Sequence, residues 1–314
     1  MIPANRPRVS IGLPVYNGER YLALAIDSLL AQTFGDFELI ISDNASTDAT
    51  ERICRAYAER DGRISYLRQR TNVGANKNFN LLVEYATAPY FKWASDDDLV
   101  APDLLERCLA VIEQDPTIVL VHSRTKYIGP DGGELTRVDP GLHLLQDSPS
   151  ERLFALWSAL TYCNAQFGIM RVDALRRTPL FGNFVASDVS FLAEFALQGK
   201  FFEIPDQLLM RRLHEGAASN LGPEQLREHY GLWRHQLSLY HWRHFLEDAR
   251  LIWRAPIDGT EKRRAIAMVA KRMMWQRSAL GQEIGFLMRH LAGRPYPLIG
   301  SIHRADRPRS GAAG

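Results

Sequence analysis

Three consecutive aspartates, Asp96-Asp97-Asp98, follow a short apolar run and form the most chemically loaded segment of this 314-residue chain. Carboxylates packed so closely repel one another, and a cation is the ordinary compensation. Hard divalent ions such as Mg2+ or Mn2+ use one or two protein carboxylates and take their remaining ligands from water and phosphate oxygens. The triplet therefore suits a metal bound together with a diphosphate. It would equally suit a helix N-terminus, where acidic side chains meet the positive end of the dipole. Asp43, Asp188 and the stretch Arg211-Arg212-Leu213-His214 are the other polar groups with chemical potential.

The elements that must position these groups read as α/β. Short β-branched runs at Val9–Leu13, Phe37–Ser42, Ile64–Arg68, Tyr90–Ala94 and Ile118–His122 alternate with helical stretches, as in a parallel sheet with crossover helices. Leu22, Ile26, Leu29 and Leu30 recur at helical spacing between the first two runs. Asp48 followed by Glu51 predicts a capping box that opens the next helix. Pro102 suits the first turn of a helix after the acidic triplet. Residues 14–17, then Asp43, then the triplet thus fall at the carboxyl ends of three strands, the rim where open α/β sheets bind ligands. Further along, Arg137–Ser150 reads as a loop rich in Pro, Gly and Asp, Gln166–Met170 and Lys200–Leu209 as strands, and Val189–Leu197 as a helix.

Four segments carry a resemblance. Leu13-Pro14-Val15-Tyr16-Asn17-Gly18, Ser42-Asp43-Asn44-Ala45-Ser46-Thr47-Asp48, Asn72-Val73-Gly74-Ala75 and Trp93-Ala94-Ser95-Asp96-Asp97-Asp98 resemble, in order and spacing, the signatures of family 2 glycosyltransferases. The resemblance covers roughly residues 8–215. It implies the GT-A fold, a Rossmann-like nucleotide-binding half merged with an acceptor-binding half, and inverting transfer from a nucleoside diphosphate sugar, most commonly UDP-linked. Pro14, Val15, Tyr16, Asn17 and Asp43 would line the nucleoside pocket, Asp43 accepting the imino N–H of the base and Tyr16 stacking on it or shaping the wall. Asn72 would close a turn near the nucleotide. The Ala-Arg-Asn frequent in relatives is replaced by Asn78-Phe79-Asn80, which leaves Lys77 as the local candidate for the phosphates.

The same resemblance assigns Asp98 to the metal, Asp96 and Asp97 to metal or sugar, and His214 to the metal as a further ligand, with Arg211 and Arg212 toward phosphate. Asp188, preceded by Ser187 where relatives usually carry an acid, is implied to be the base that takes the acceptor proton. On local grounds alone, Ser187 or Asp188 reads as a helix N-cap.

With 46% hydrophobic and 24% charged residues the composition is that of an ordinary globular protein. Cys54, Cys108 and Cys163 are too few and scattered for a disulfide framework or a Cys-based zinc site, and no apolar leader precedes a small-residue cleavage site; a reducing, cytoplasmic setting is expected. No apolar run approaches the roughly 18 residues that span a bilayer. The net charge of +2 is uneven, because residues 221–314 hold 16 Lys/Arg against 8 Asp/Glu while the remainder holds 22 against 28. A catalytic domain over 1–220 and a helical, basic, aromatic segment with a flexible tail over 221–314 are expected.

Trp233, Trp242, Trp253 and Trp275, with His235, His241 and His244, stud that segment. Its amphipathic pattern fits packing on the catalytic domain, a homodimer contact or peripheral contact with the inner face of a membrane. His241 and His244 read as surface residues, His122 and His143 as structural. No nucleic-acid-binding motif accompanies the positive charge. The expected partners are a nucleoside diphosphate sugar and a glycan or lipid-linked acceptor, as in polysaccharide biosynthesis. Two other readings remain open. One is a catalytically silent relative; the other is a nucleotidyltransferase, whose Gly-rich basic phosphate loop is replaced here by Leu-Pro-Val-Tyr-Asn-Gly.

Overall fold

The structure is a computed structural model that describes residues 6–217, 230 and 239–292. Every residue of β1 (Val9–Val15) is buried, the mark of a central parallel strand covered on both faces. It pairs in parallel with β2 (Phe37–Asp43) on one side and β4 (Tyr90–Trp93) on the other, with β3 (Ile64–Arg68) parallel beyond β2. The crossovers are α1 (Leu22–Leu30), α2 (Thr50–Arg60) and α3 (Ala75–Tyr85). Because β1, β2 and β4 run the same way, their carboxyl ends open onto one rim. At Gly12, an added Cβ would lie 2.7 Å from the Phe91 ring and 2.8 Å from Leu82 Cβ, so the glycine lets α3 sit close to the sheet.

The second half of the sheet is mixed rather than parallel. It is built from β5 (Leu99–Val100), β6 (Ile118–Ile128), β7 (Ile169–Arg171) and β8 (Lys200–Arg212), and the full order is β3-β2-β1-β4-β7-β6-β8-β5. β7 is antiparallel to β4 and β6, β6 is parallel to β8, and β5 is antiparallel to the end of β8. Register shifts around Ser123 and Arg124 bend the long β6–β8 pair. The run expected as a strand at Gln166–Met170 is divided between a 3-10 turn at Cys163–Phe167 and β7. Further helices are α4 (Leu104–Ile112), α5 (Pro149–Ala159), α6 (Val172–Leu175) and α7 (Ser187–Gln198).

Asp48 does not open α2 through a capping box. Its carboxylate accepts the Thr50 N–H at 3.0 Å and the Glu19 N–H at 3.0 Å, while Glu19 accepts the Ala49 N–H at 2.9 Å. Glu51 turns instead to Arg55 and Arg68. The acids thus stitch the loop after β1 to the loop after β2, a long-range partnership that competes with the local cap.

Among the described residues three helices follow the sheet: α8 (Tyr240–Arg254), α9 (Gly259–Trp275) and α10 (Arg277–Leu291). The first two dock on α7 and α5, and α10 packs on them. Arg254 pairs with Glu194 at 2.9 Å, Glu261 accepts from the Ser148 hydroxyl and the Ser150 N–H, and the Arg272 guanidinium lies 4.2 Å from the Trp157 ring centroid. His241 is not a surface residue, for it is buried against Glu283. His244 is half-buried, 3.3 Å from the Val185 carbonyl. His122 and His143 hold backbone groups, as expected of structural histidines. Trp233, His235 and the boundary after residue 220 lie outside the described residues. No described helix is long and apolar enough to cross a membrane.

Glu283, 1% exposed, accepts from the His241 N–H and ring and from the Trp242 N–H. Removing a buried acceptor leaves its donors unsatisfied, at a cost of about 2 kcal/mol. Glu283→Ala should lower the urea midpoint of unfolding accordingly, whereas Glu283→Gln, which keeps an acceptor oxygen, should lose less than half as much.

Candidate active site

At the rim, the loops after β1 and β2 are fastened to each other. Asn17 adopts a left-handed conformation (φ 53°), and its side-chain oxygen accepts the Thr47 N–H at 2.8 Å, fastening the loop after β1 to that after β2. Pro14 and Val15 are buried, and an added Cβ at Gly18 would meet Val15 Cγ2 at 2.7 Å and the Asp96 carboxylate. Of residues 14–17, Tyr16, at 42% exposed, is the large side chain that faces outward. Asn44 joins three segments, donating to the Val15 carbonyl from its N–H and to Asn72 Oδ1 from its amide, and accepting the Val73 N–H. Asn72 also accepts the Gly74 N–H at 2.9 Å, closing the expected turn.

Asp43 has no exposed surface. Its Oδ1 accepts the Ser46 N–H at 2.8 Å, and Oδ2 accepts from the Tyr66 hydroxyl and from Arg68 Nη1, both at 2.7 Å. A base can reach this carboxylate only if the Arg68 or Tyr66 side chain gives way. Arg68 and Tyr66 lie on β3, an edge strand of the sheet, and in the sequence they stand in a short strand-like run with no motif to single them out. Lys77 stands exposed on α3, and no contact among the described residues ties it to the acidic loop.

The acidic triplet is divided by its partners. Asp98 is 7% exposed, and its Oδ1 accepts the Arg212 N–H of β8 at 2.8 Å. Beneath it, a void of about 10 Å³ is lined by Lys92, Ser95 and Asp98 among others, room for a single water. Asp97 faces His214, with Nε2 to Oδ2 at 3.0 Å, and also accepts from the Ser95 hydroxyl. Arg212 donates from Nε to the Asp97 carbonyl at 2.9 Å. Burial and the neighbouring Asp97 push Asp98 up to about 7 and Asp96 well above the usual carboxylate range. Burial presses Asp97 in the same direction, but hydrogen bonds from His214 and Ser95 outweigh it and hold Asp97 below that range. Among the described residues no three His, Cys, Asp or Glu side chains form a metal cage. Two facing side chains, Asp97 and His214, nevertheless fit a hard cation whose other ligands come from phosphate and water.

Asp188 lies in the first turn of α7, but it does not cap the helix. The N-cap is Ala186, in a left-handed conformation (φ 59°), with no side-chain cap bond. Burial raises the Asp188 pKa, opposed by a hydrogen bond from the Cys163 thiol and by the Val189 N–H. Arg211 lies within electrostatic reach of Asp97, Asp98 and Asp188, and its guanidinium donates to Asn164. Tyr230 approaches Asp188 and Cys163.

The segment before α7 is gripped by α3. Asn76, one turn before Asn80, donates to the Gly182 carbonyl at 2.6 Å and the Ser187 hydroxyl at 3.1 Å; Asn80 exchanges two hydrogen bonds with the Phe181 backbone. Asn78 points the other way and makes two buried hydrogen bonds to Ser42. The asparagines in this departure from the usual Ala-Arg-Asn thus join the nucleotide half to the Asp188 segment. Their alternation was visible in the sequence, although their partners were not.

The fold defines the class: this is a GT-A architecture. S. aureus TarS in complex with UDP-GlcNAc superposes with a TM-score of 0.63 at 20% identity, covering 85% of this chain and 72% of that one. The Pyrobaculum calidifontis mannosyltransferase PcManGT, in complex with GDP-Man and Mn2+, gives a TM-score of 0.51 at 16% identity, covering 92% and 81%. An uncharacterized glycosyltransferase of Rickettsia prowazekii (strain Madrid E) is 28% identical over 235 residues, 72% of this chain and 70% of the relative. Residues 10–178 match glycosyl transferase family 2, and the chain belongs to that family of glycosyltransferases.

The acidic loop makes the metal-free protein sensitive to pH. Asp98, at about 7 when folded, keeps its proton where an unfolded aspartate, at about 3.9, has lost it. Stability from this group is therefore greatest at low pH and declines as pH rises from about 4 through about 7. In chelator-treated samples, Asp98→Asn should melt higher than wild type at about pH 8, and the advantage should vanish near pH 4.

Proposed function

We propose that this glycosyltransferase inverts configuration at the sugar, moving it from a nucleoside diphosphate, UDP by preference, to a hydroxyl of a glycan or lipid-linked acceptor. The observation that carries the reading is the position of Arg211, which stands beside Arg212, the residue bonded to Asp98 and to the Asp97 carbonyl, and itself bonds Asn164, next to the Cys163 thiol that meets Asp188. A diphosphate site and a carboxylate base then share one cleft. Complexes of neighbours of the same fold with UDP-GlcNAc, and with GDP-Man and Mn2+, support a nucleotide-sugar donor.

Tyr16 and the part-exposed guanidinium of Arg68 receive the base, while Asp43 fixes Arg68. Asp96, at the mouth of the acidic loop, takes the ribose or donor sugar. Asp97 and His214 would hold a divalent cation such as Mg2+ or Mn2+, which supplies Lewis acidity that offsets charge on the departing diphosphate. Asp98, which the resemblance assigns to the metal, has one oxygen engaged by the Arg212 N–H, and this reading gives the cation to Asp97 and His214 instead. Asp188 accepts the proton of the acceptor hydroxyl as its oxygen bonds to the anomeric carbon and the bond to the diphosphate breaks. A single displacement of this kind inverts the centre.

Asp188→Asn should lower kcat by about 10²-fold or more while UDP affinity in Mn2+ stays within about twofold of wild type. Wild-type turnover in that variant sinks the base assignment. In calorimetric titrations, Asp97→Ala and His214→Ala should each weaken Mn2+-dependent UDP binding by about tenfold or more. Asp98→Asn should leave it nearly unchanged, and the reverse pattern returns the metal to Asp98.

A further inference from the structure

The helices that follow the catalytic sheet bury one side and leave another uncovered. On α10, Leu280 and Glu283 are buried, while Ile284, Met288 (62% exposed) and Leu291 (71% exposed) form a stripe at helical spacing on the open side. At the adjoining end of α9, Met274 and Trp275 (61% exposed) are likewise uncovered. Large apolar side chains grouped in this way mark an interaction surface.

The charges around the stripe say what kind. α9 and α10 carry seven Lys/Arg, at 262, 263, 264, 271, 272, 277 and 289, and two acids, Glu261 and Glu283. Both acids are buried and engaged, Glu261 with the start of α5 and Glu283 with the start of α8. The preceding acid, Asp258, is used as the N-cap of α9. The exposed charge of both helices is therefore entirely cationic. Several of these cations also lie beside aromatic rings, as an interfacial side chain does: Lys271 is 5.0 Å from the Trp275 centroid and Arg289 is 5.0 Å from that of Phe286. A protein partner of ordinary surface would meet both signs of charge. A surface that pairs Trp, Met, Ile and Leu with Lys and Arg alone complements an anionic bilayer.

We propose that the open face of α9 and α10 is a docking surface for anionic phospholipid, with Trp275, Ile284, Met288 and Leu291 entering the headgroup boundary and Lys271, Arg277 and Arg289 meeting lipid phosphate. Docking of α8 and α9 on α5 and α7 ties this surface to the catalytic body. The proposal is independent of the sugar and acceptor assigned above, because it rests on a different part of the chain.

The test is flotation of the full-length protein with vesicles of phosphatidylcholine alone and with one-quarter phosphatidylglycerol, at low and high salt. The expected result is binding to the anionic vesicles only, weakened by salt. Met288→Asp combined with Ile284→Asp, and separately Arg277→Glu combined with Arg289→Glu, should each reduce partitioning by about tenfold or more. Unchanged far-ultraviolet circular dichroism and an unchanged cooperative thermal unfolding transition would establish that these surface variants are folded. Equal binding to both vesicle types, absence of binding, or undiminished binding by the folded variants overturns the proposal. So does sedimentation showing a wild-type dimer that the Met288→Asp, Ile284→Asp variant converts to a monomer, since the face would then belong to a second copy of the chain.

Discussion

Three adjacent carboxylates can be held in a largely buried loop only if other groups supply donors and positive charge, and the second half of the molecule is organised to do so. The end of β8 delivers a backbone N–H to Asp98, a guanidinium to the Asp97 carbonyl and, two residues past the strand, an imidazole to Asp97. From behind, the buried Lys92 ammonium, pushed down to about 8 by desolvation, faces the same loop. The two-residue β5 is the mechanical part of this arrangement, pairing the end of the acidic loop with Leu209 and Met210. Charge that remains uncompensated appears as the raised pKa values of Asp96 and Asp98. A cluster left uncompensated in this way costs stability, which a cation would offset.

A second constraint links the two sides of the cleft. Trp93, immediately before the acidic loop, lies 4.9 Å from the Phe181 ring and 5.5 Å from the Phe191 ring, and its indole N–H donates to the Phe79 carbonyl of α3. Phe181 begins the segment leading to Asp188, and Phe191 lies one turn beyond it on α7. The aromatic cluster and the asparagines of α3 thus set the distance between the acidic loop and Asp188. The left-handed Ala186 concentrates backbone strain at the point where that segment turns into the helix.

The first half of the fold was legible because each parallel strand is a continuous apolar run bounded by polar turn residues, and each crossover helix has an apolar stripe. Strand ends at Asp43 and Trp93 were therefore readable, as was their common rim. The mixed second half was not, because β7 is three residues long and the extent of β8 depends on pairing with β6. Asp48 shows how a sound local rule fails: a capping box was available, yet the loop after β1 offered a better set of partners. Asn17 and Val15 carry long-range contacts of the same kind, the Val15 carbonyl accepting the Asn44 N–H and the Asn17 side-chain oxygen accepting the Thr47 N–H.

The sequence by itself determined the inventory: the order of the motifs, the family they resemble, the acidic triplet, Asp188 and the basic, aromatic end of the chain. These are properties of residue type and spacing, which survive without coordinates. Only the tertiary structure decided which contacts each member of that inventory makes. Asp97 and Asp98 are chemically identical neighbours, and what separates them is that one meets the His214 ring and the other a β8 N–H, contacts that span more than a hundred residues. Asp188 changed from a plausible cap to a half-buried carboxylate that meets the Cys163 thiol, because the backbone turned at Ala186 instead. The cationic face of α9 and α10 likewise emerged only once packing had hidden Glu261 and Glu283, since burial, unlike charge, is not a property of the residue alone.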